Sequence, residues 1–369
     1  MAQSRNILLV CGEMSGDMHA GVVVRHLREC VPNARVVAMG GQECRDAGAA
    51  VVFDYHDFAI LGFTGVLASL PRLWKLERAL RRRIDAADLF IAVDYPGLNL
   101  RLARYAKSRG VPVLFYISPQ VWAWGAGRIE RMAETVDRLA VILPFEKALF
   151  EGRGLDTEFV GHPFVTDHEL PPPLPQEARS GIGLLPGSRE GEVRRILPAQ
   201  LGAAKQLRAS LPELEFTIAR SAAVAHGVYE TLVSAAGIDI ASDDDPVAVM
   251  RRSRLVLVAS GTATLQSALF ETPEVVVYRV SPINYLLAKR LITIDNIGLV
   301  NVVLGERVAP ELIQGDATAP RVAAEVKALL EDDARRAAMI ARFATLRGLL
   351  AGGGGSRRVA EMAAELMGQ

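Results

Sequence analysis

The sequence predicts an α/β chain of two Rossmann-like, doubly wound parallel-sheet domains facing each other across a cleft. Three observations carry this reading. Short β-branched runs ("NILLV", "RVVAM", "LFIAV", "PVLFYI", "RLAVIL", then "GIGLLP", "LEFTIA", "RLVLVA", "EVVVY") alternate with longer amphipathic stretches, the pattern of βαβ units. The runs are apolar nearly throughout, as expected of sheets covered by helices on both faces. Finally, "HELPPPLPQEARSG" holds three consecutive prolines, which neither a helix interior nor a central strand accepts. The predicted layout is a first domain at 1–167, a linker at 168–181, a second domain at 182–350, and a glycine-rich hinge with a final helix at 351–369. That helix packs either on the first domain or on another subunit, as a homodimer contact. A chain of 369 residues is long for one core, which favours two domains.

Composition narrows the partners. Lysine plus arginine number 42, as do aspartate plus glutamate, so no global charge calls for nucleic acid or an acidic polymer. Cys11, Cys30 and Cys44 are odd in number and lack CxxC spacing, which predicts buried thiols in a reducing compartment without metal or disulfide. The first apolar run meets Glu13 too soon to be a secretion signal, and the expected location is cytoplasmic.

In open parallel sheets ligands bind beyond the carboxyl ends of strands, so the loops after the apolar runs are the candidate sites. After "NILLV" comes "CGEMSGD", a glycine-rich turn carrying Glu13 and Asp17. Two carboxylates repel a diphosphate, so this loop either caps a helix or meets a hydroxyl-rich group. Residues 59–84, "AILGFTGVLASLPRLWKLERALRRRI", join an apolar part to a basic one, as in an interfacial segment on an anionic membrane or a sheet-covering helix with a solvated basic face. "DLFIAV" ends in "DYPGLN", placing Asp94 at a strand's carboxyl edge as a proton acceptor or a helix cap. "ISPQVWAWGAGRI" sets Trp122 and Trp124 in a polar loop, as a ligand wall or as core. His162 in "VGHPF" is a hinge or a ligand contact. In the second half, "GSREGEV" offers Gly187, Ser188 and Arg189 to a phosphate, and "SGTATLQSA" puts Ser260, Gly261 and Thr262 at a helix start without a nearby acid. No Walker or GxGxxG motif is present, which disfavours ATP hydrolysis and dinucleotide redox chemistry.

Taken together, "CGEMSGD", "SPQVWAW", "LPFEKALF", "FVGHP", "LLPGSREGEV", "VASGTATL", "YRVSP" and "PELIQ" resemble the lipid-A-disaccharide synthase family of GT-B glycosyltransferases along nearly the whole chain. The resemblance implies a GT-B fold and metal-free, cofactor-free inverting transfer of a diacylglucosamine from its UDP derivative to the 6-hydroxyl of a diacylglucosamine 1-phosphate. Asp94 resembles the family's general base. Gly187, Ser188, Arg189, Ser260, Gly261, Thr262, Gln266 and Asn301 fall on the UDP side, with Glu311 in the same later motif as Asn301. Glu13, Ser15, Gly16, Asp17 and Trp122 fall on the acceptor and sugar side. Acylated substrates favour the membrane reading of residues 59–84, with Phe63, Val66, Leu67, Leu70 and Trp74 at the anionic inner face of the cytoplasmic membrane. The chain departs from the family pattern at Gln266, where glutamate is common, and at Gly65 and Gly125. Competing readings are another two-domain UDP-sugar transferase or epimerase, and a silent paralogue that binds UDP-sugar or membrane.

Overall fold

The computed structural model describes residues 5–58, 65–123, 125, 127–168, 170–281, 285 and 295–368, with the side chains of 65–70 outside the description. The chain divides into two compact units, residues 1–169 with 349–369, and residues 170–348.

The first unit runs β1 (Arg5–Val10), α1 (Met14–Cys30), β2 (Ala34–Gly40), α2 (Gln42–Asp46), β3 (Ala50–Asp54), α3 (Gly65–Ile84), β4 (Leu89–Val93), α4 (Pro96–Ser108), β5 (Val113–Tyr116), α5 (Gly127–Thr135), β6 (Arg138–Val141), α6 (Pro144–Glu151), β7 (Thr157–Phe159) and α7 (Pro163–Thr166). Its seven strands form one parallel sheet in the order β3-β2-β1-β4-β5-β6-β7. The apolar runs explain the covered faces. Ile7 and Leu9 of β1 join one cluster with Val23, Val24 and Leu27 of α1, while Leu8 and Val10 join the other with Leu76 and Leu80 of α3. Burying a side chain of this size contributes about 1.5–3 kcal/mol. The final helix, Gly355–Leu366, lies in the first cluster through Val359, Ala360, Met362 and Ala363. Asp167 caps its start, accepting from the Ser356 amide at 2.9 Å and hydroxyl at 2.6 Å.

The second unit continues with β8 (Ile182–Leu185), α8 (Glu190–Ser210), β9 (Phe216–Ala219), α9 (His226–Ala236), β10 (Ala241–Asp243), α10 (Pro246–Arg252), β11 (Leu255–Val258), α11 (Thr262–Leu269), β12 (Glu274–Tyr278) and, after the helix Leu299–Leu304, β13 (Glu311–Ile313). These six strands are parallel in the order β10-β9-β8-β11-β12-β13.

In each sheet the strand order reverses once, between β1 and β4 in the first and between β8 and β11 in the second. At such a switch point neighbouring loops leave in opposite directions and open a crevice. The loops there are Cys11–Glu13 with Asp94–Tyr95, and Gly187–Arg189 with Ser260–Gly261.

The basic half of α3 covers the sheet. Leu76, Leu80 and Ile84 are buried, while Arg72, Trp74, Lys75, Arg78 and Arg82 are exposed or half-exposed. Phe63 lies outside the described residues, as do the side chains of Val66, Leu67 and Leu70. Among the described residues no helix is long and apolar enough to cross a membrane.

Candidate active site

Asp94 leaves the end of β4 in a strained turn. Its φ is +47° and that of Tyr95 is +49°, two consecutive left-handed residues that are not glycine. Each costs about 1–3 kcal/mol and persists only where its surroundings enforce it. Asn99, fully buried in the first turns of α4, does the enforcing: its Nδ2 donates to the carbonyls of Asp94 (2.7 Å), Val10 (3.2 Å) and Val93 (3.3 Å), tying β1 to the β4 turn. Gly12 completes the arrangement, because a Cβ there would lie 2.3 Å from the Tyr95 ring. Burial pushes the Asp94 carboxyl up to about 6, and Glu13 adds to the rise while a backbone hydrogen bond from Tyr95 opposes it. Such a group is ionised near neutral pH yet is a better proton acceptor than an exposed aspartate.

Asp17, read from the sequence as a sugar-hydroxyl contact or a helix cap, is a cap, though of α2 and not of its own helix. It is 2% exposed, and its carboxylate accepts from the amides of Gly41 (2.6 Å), Glu43 (3.0 Å) and Cys44 (3.3 Å), capping α2. Gly16 is corrected by the structure: it is buried in α1, where a Cβ would stand 3.3 Å from Cys11. Glu13 and Ser15 are exposed at the start of α1. Cys11, Asp17 and Cys44 are the one cluster of metal-ligand atoms within 4.8 Å among the described residues. Its carboxylate is already engaged by the three amides above.

Trp122 is half-buried after β5, its indole N–H donating to Glu146 at 3.1 Å; Trp124 lies outside the described residues. His162 is buried and caps α7 by accepting from the Phe164 amide at 3.2 Å, with burial lowering its pKa to about 3.

In the second unit, the anion on the first phosphate loop is the chain's own. The Glu192 carboxylate accepts from the amides of Ser188 (3.1 Å) and Arg189 (3.4 Å), and Arg189 Nη1 stands 3.5 Å from its other oxygen. Gly187, at φ +115°, makes the room: a Cβ would lie 2.5 Å from Glu192 Oε2. The loop's expected backbone donors are thus occupied, although the Arg189 side chain is 70% exposed. The other loop is more open. Gly261 is exposed and Thr262 half-exposed or more, and α11 carries no side-chain cap, so its first amides point outward with the positive helix end. Gln266, half-buried, sits one turn on from Thr262 and on the same face.

Asn301, expected at the nucleotide, is corrected likewise. It is fully buried; its oxygen accepts from Val308 and Ala309 (both 2.9 Å) and its amide donates to Ala309 O and Glu311 Oε1 (both 2.8 Å). Glu311 in turn accepts from the amides of Ile297 (3.0 Å) and Gly298 (2.9 Å), and Ser260 Oγ donates to Ile297 O at 2.7 Å. Asn301 and Glu311 therefore hold the 297–298 loop beside Ser260. Asn99, Glu146, Glu192 and this use of Glu311 escaped the sequence reading. All four stand in quoted motifs, "DYPGLN", "LPFEKALF", "GSREGEV" and "PELIQ". Glu192 meets Ser188 and Arg189 beside it, whereas nothing local reveals the partners of Asn99 at Val10 or of Glu146 at Ser118 and Trp122.

A chain with a partly buried carboxylate at the switch point of one parallel sheet and an uncapped helix start at that of another has the make-up of a GT-B glycosyltransferase. Solved structures share this fold: MurG of Acinetobacter baumannii (TM-score 0.58, 14% identity, covering 98% of this chain and 99% of that one) and an S. aureus MnaA–UDP co-structure (0.64, 12%, 96% and 95%). The family model described as lipid-A-disaccharide synthetase matches residues 7–363. Lipid-A-disaccharide synthase of Geobacter sulfurreducens is 40% identical over 99% of this chain and 98% of its own length, and that of Anaeromyxobacter dehalogenans (strain 2CP-1) is 40% identical over 96% of each. The chain belongs to the lipid-A-disaccharide synthase family of UDP-sugar hexosyltransferases.

Proposed function

We propose that the chain joins UDP-2,3-diacylglucosamine to 2,3-diacylglucosamine 1-phosphate with inversion, giving the β-1,6 disaccharide 1-phosphate and UDP. The observation that carries this reading is the strained, partly buried Asp94 in a member of this family. The Asp94 carboxylate takes the proton of the acceptor's 6-hydroxyl as that oxygen attacks the donor's anomeric carbon. The bond to UDP breaks, and the electron pair leaves on a phosphate oxygen stabilised by the α11 amides and the Arg189 guanidinium. Residues Glu13, Ser15 and Trp122 serve the sugars, and Gln266 the ribose. Turnover of acylated against non-acylated UDP-glucosamine in detergent tests the proposal: rapid use of the acylated donor alone supports it, and equal use of both contradicts it.

Gln266 supplies a second test. A carboxylate accepts from both ribose hydroxyls, whereas glutamine accepts from one and turns a donor toward the other. Gln266→Glu is expected to bind UDP several-fold more tightly, from about 1 kcal/mol of charge-assisted hydrogen bonding. In calorimetry the gain disappears with a 2′,3′-dideoxy analogue. An equal gain with that analogue would place Gln266 away from the ribose.

The proposed membrane face is α3, where Trp74 is 62% exposed with the Arg78 guanidinium 5.6 Å from its ring centroid. Basic residues near an anionic surface contribute about 1 kcal/mol each and a buried aromatic side chain about 1.5–3 kcal/mol. Replacing Trp74, Arg72, Lys75 and Arg78 with serine is expected to weaken flotation with phosphatidylglycerol vesicles at least about tenfold, with an unchanged melting temperature. Undiminished flotation would move the membrane contact off this face.

A further inference from the structure

We infer that Glu146 is a positioning residue for the sugar site, one carboxylate oxygen fixing the Trp122 ring as the wall on which a sugar lies. The inference rests on the function proposed above and adds a residue to it. Glu146 is the third residue of α6 and is 2% exposed. Its two oxygens do different work. Oε2 accepts from the Leu143 amide at 3.2 Å, the ordinary task of a glutamate in a helix's first turn. Oε1 is not needed for that cap. It reaches the neighbouring loop, accepting from Ser118 Oγ at 2.6 Å and Trp122 Nε1 at 3.1 Å. Phe145, the preceding residue, meets the same indole edge-on with centroids 5.5 Å apart.

The loop so held would not keep its shape unaided. β5 and β6 lie side by side, and the chain leaves β5 through Ile117 at φ +64°, a conformation that a β-branched residue avoids. The Ile117 amide is anchored on Ala140 O at 3.0 Å, and Ser118, next in sequence, is held by Glu146. Strain of this kind persists where surrounding contacts over-determine it, and it gathers at ligand sites. Glu146 therefore connects the end of β6 to the strained exit of β5 and to the ring beyond it.

Burial pushes the Glu146 carboxyl up to about 7, against hydrogen bonds from Ser118, Leu143, Trp122 and Ile142 that favour the charged form. Those donors are the groups that face it, and no ionised side chain is among them in the described residues. The clamp is thus expected to be tight when Glu146 is ionised and to slacken as pH falls through about 7.

Glutamine cannot replace it. With one acceptor oxygen, a glutamine side chain at this position would leave either the Leu143 amide or the Ser118 and Trp122 donors facing an NH2 group. In a W74F/W124F background, where Trp122 is the sole tryptophan, acrylamide quenching of the unaltered Glu146 protein is expected to rise as pH falls through about 7. Glu146→Gln should show the high quenching at every pH. In transfer assays it should raise KM for the acylated sugar about 5- to 10-fold, with kcat changed less than about twofold. Added to Trp122→Phe, it should cost little more than Trp122→Phe alone, because the two act as one unit. If Glu146→Gln does not fold, Ser118→Ala, which leaves the cap intact, should give the same split at smaller size. Quenching that is pH-independent in the parent, a transition that survives in Glu146→Gln, or additive effects with Trp122→Phe would each overturn the inference. Absence of transfer by the unaltered protein would count against the proposed function, while the quenching would still decide the clamp.

Discussion

Asp94→Asn is expected to lower kcat by about a hundredfold to ten-thousandfold, the usual cost of losing a general base, while UDP binding stays unchanged. Asparagine keeps the shape of aspartate and tolerates the left-handed conformation at φ +47°, so the turn held by Asn99 is preserved. What it cannot do is take the acceptor's proton. The proposed function puts UDP on the second unit, so its calorimetric affinity provides an internal control. The same residue predicts the acid side of the pH–rate profile. With its carboxyl pushed up to about 6 by burial, Asp94 is protonated below that value, and kcat/KM should fall tenfold for each unit of pH beneath it. Wild-type turnover in Asp94→Asn, or an acid limb unchanged by the substitution, would assign the proton transfer to another group.

Asp17→Ala separates two roles for a residue of the "CGEMSGD" loop. As a cap buried against α2, Asp17 satisfies the amides of Gly41, Glu43 and Cys44 at that helix's start. Leaving buried donors unpaired costs about 1–3 kcal/mol each, and partial relaxation puts the expected loss at about 3–5 kcal/mol. At about 2–4 °C per kcal/mol, the melting temperature should fall by roughly 6–20 °C. A residue that touched only sugar would show the reverse, an unaltered melting curve with a raised KM.

The parts of the fold legible in the sequence are those whose physics is local. Central strands such as Leu89–Val93 and Leu255–Val258 are buried on both faces and read as unbroken apolar runs. The edge strands Ala241–Asp243 and Glu311–Ile313 are three residues long and partly exposed, and carry no such run. The site divides in the same way. Asp94 and Ser260–Thr262 stand at the ends of apolar runs, where a parallel sheet places its ligands. Asp17 and Glu146 are polar residues whose partners lie across the fold: Asp17 joins α1 to the start of α2, and Glu146 joins α6 to the loop after β5. Asn301 closes on Val308, Ala309 and Glu311 in the segment that follows its own helix. A polar side chain in a motif looks the same whether it meets a ligand or a distant amide. Only the tertiary arrangement distinguishes them, and for Asp17 and Asn301 it was the amide.

The measurement closest to the centre of this account is the product itself. The chain is incubated with UDP-2,3-diacylglucosamine and 2,3-diacylglucosamine 1-phosphate in detergent with EDTA, and the lipid product is analysed by mass spectrometry and by NMR of its anomeric linkage. Direct attack by the acceptor, with Asp94 taking the proton, predicts a β-1,6-linked disaccharide 1-phosphate formed in equal amount to UDP. An α linkage, or UDP released without disaccharide, would contradict it.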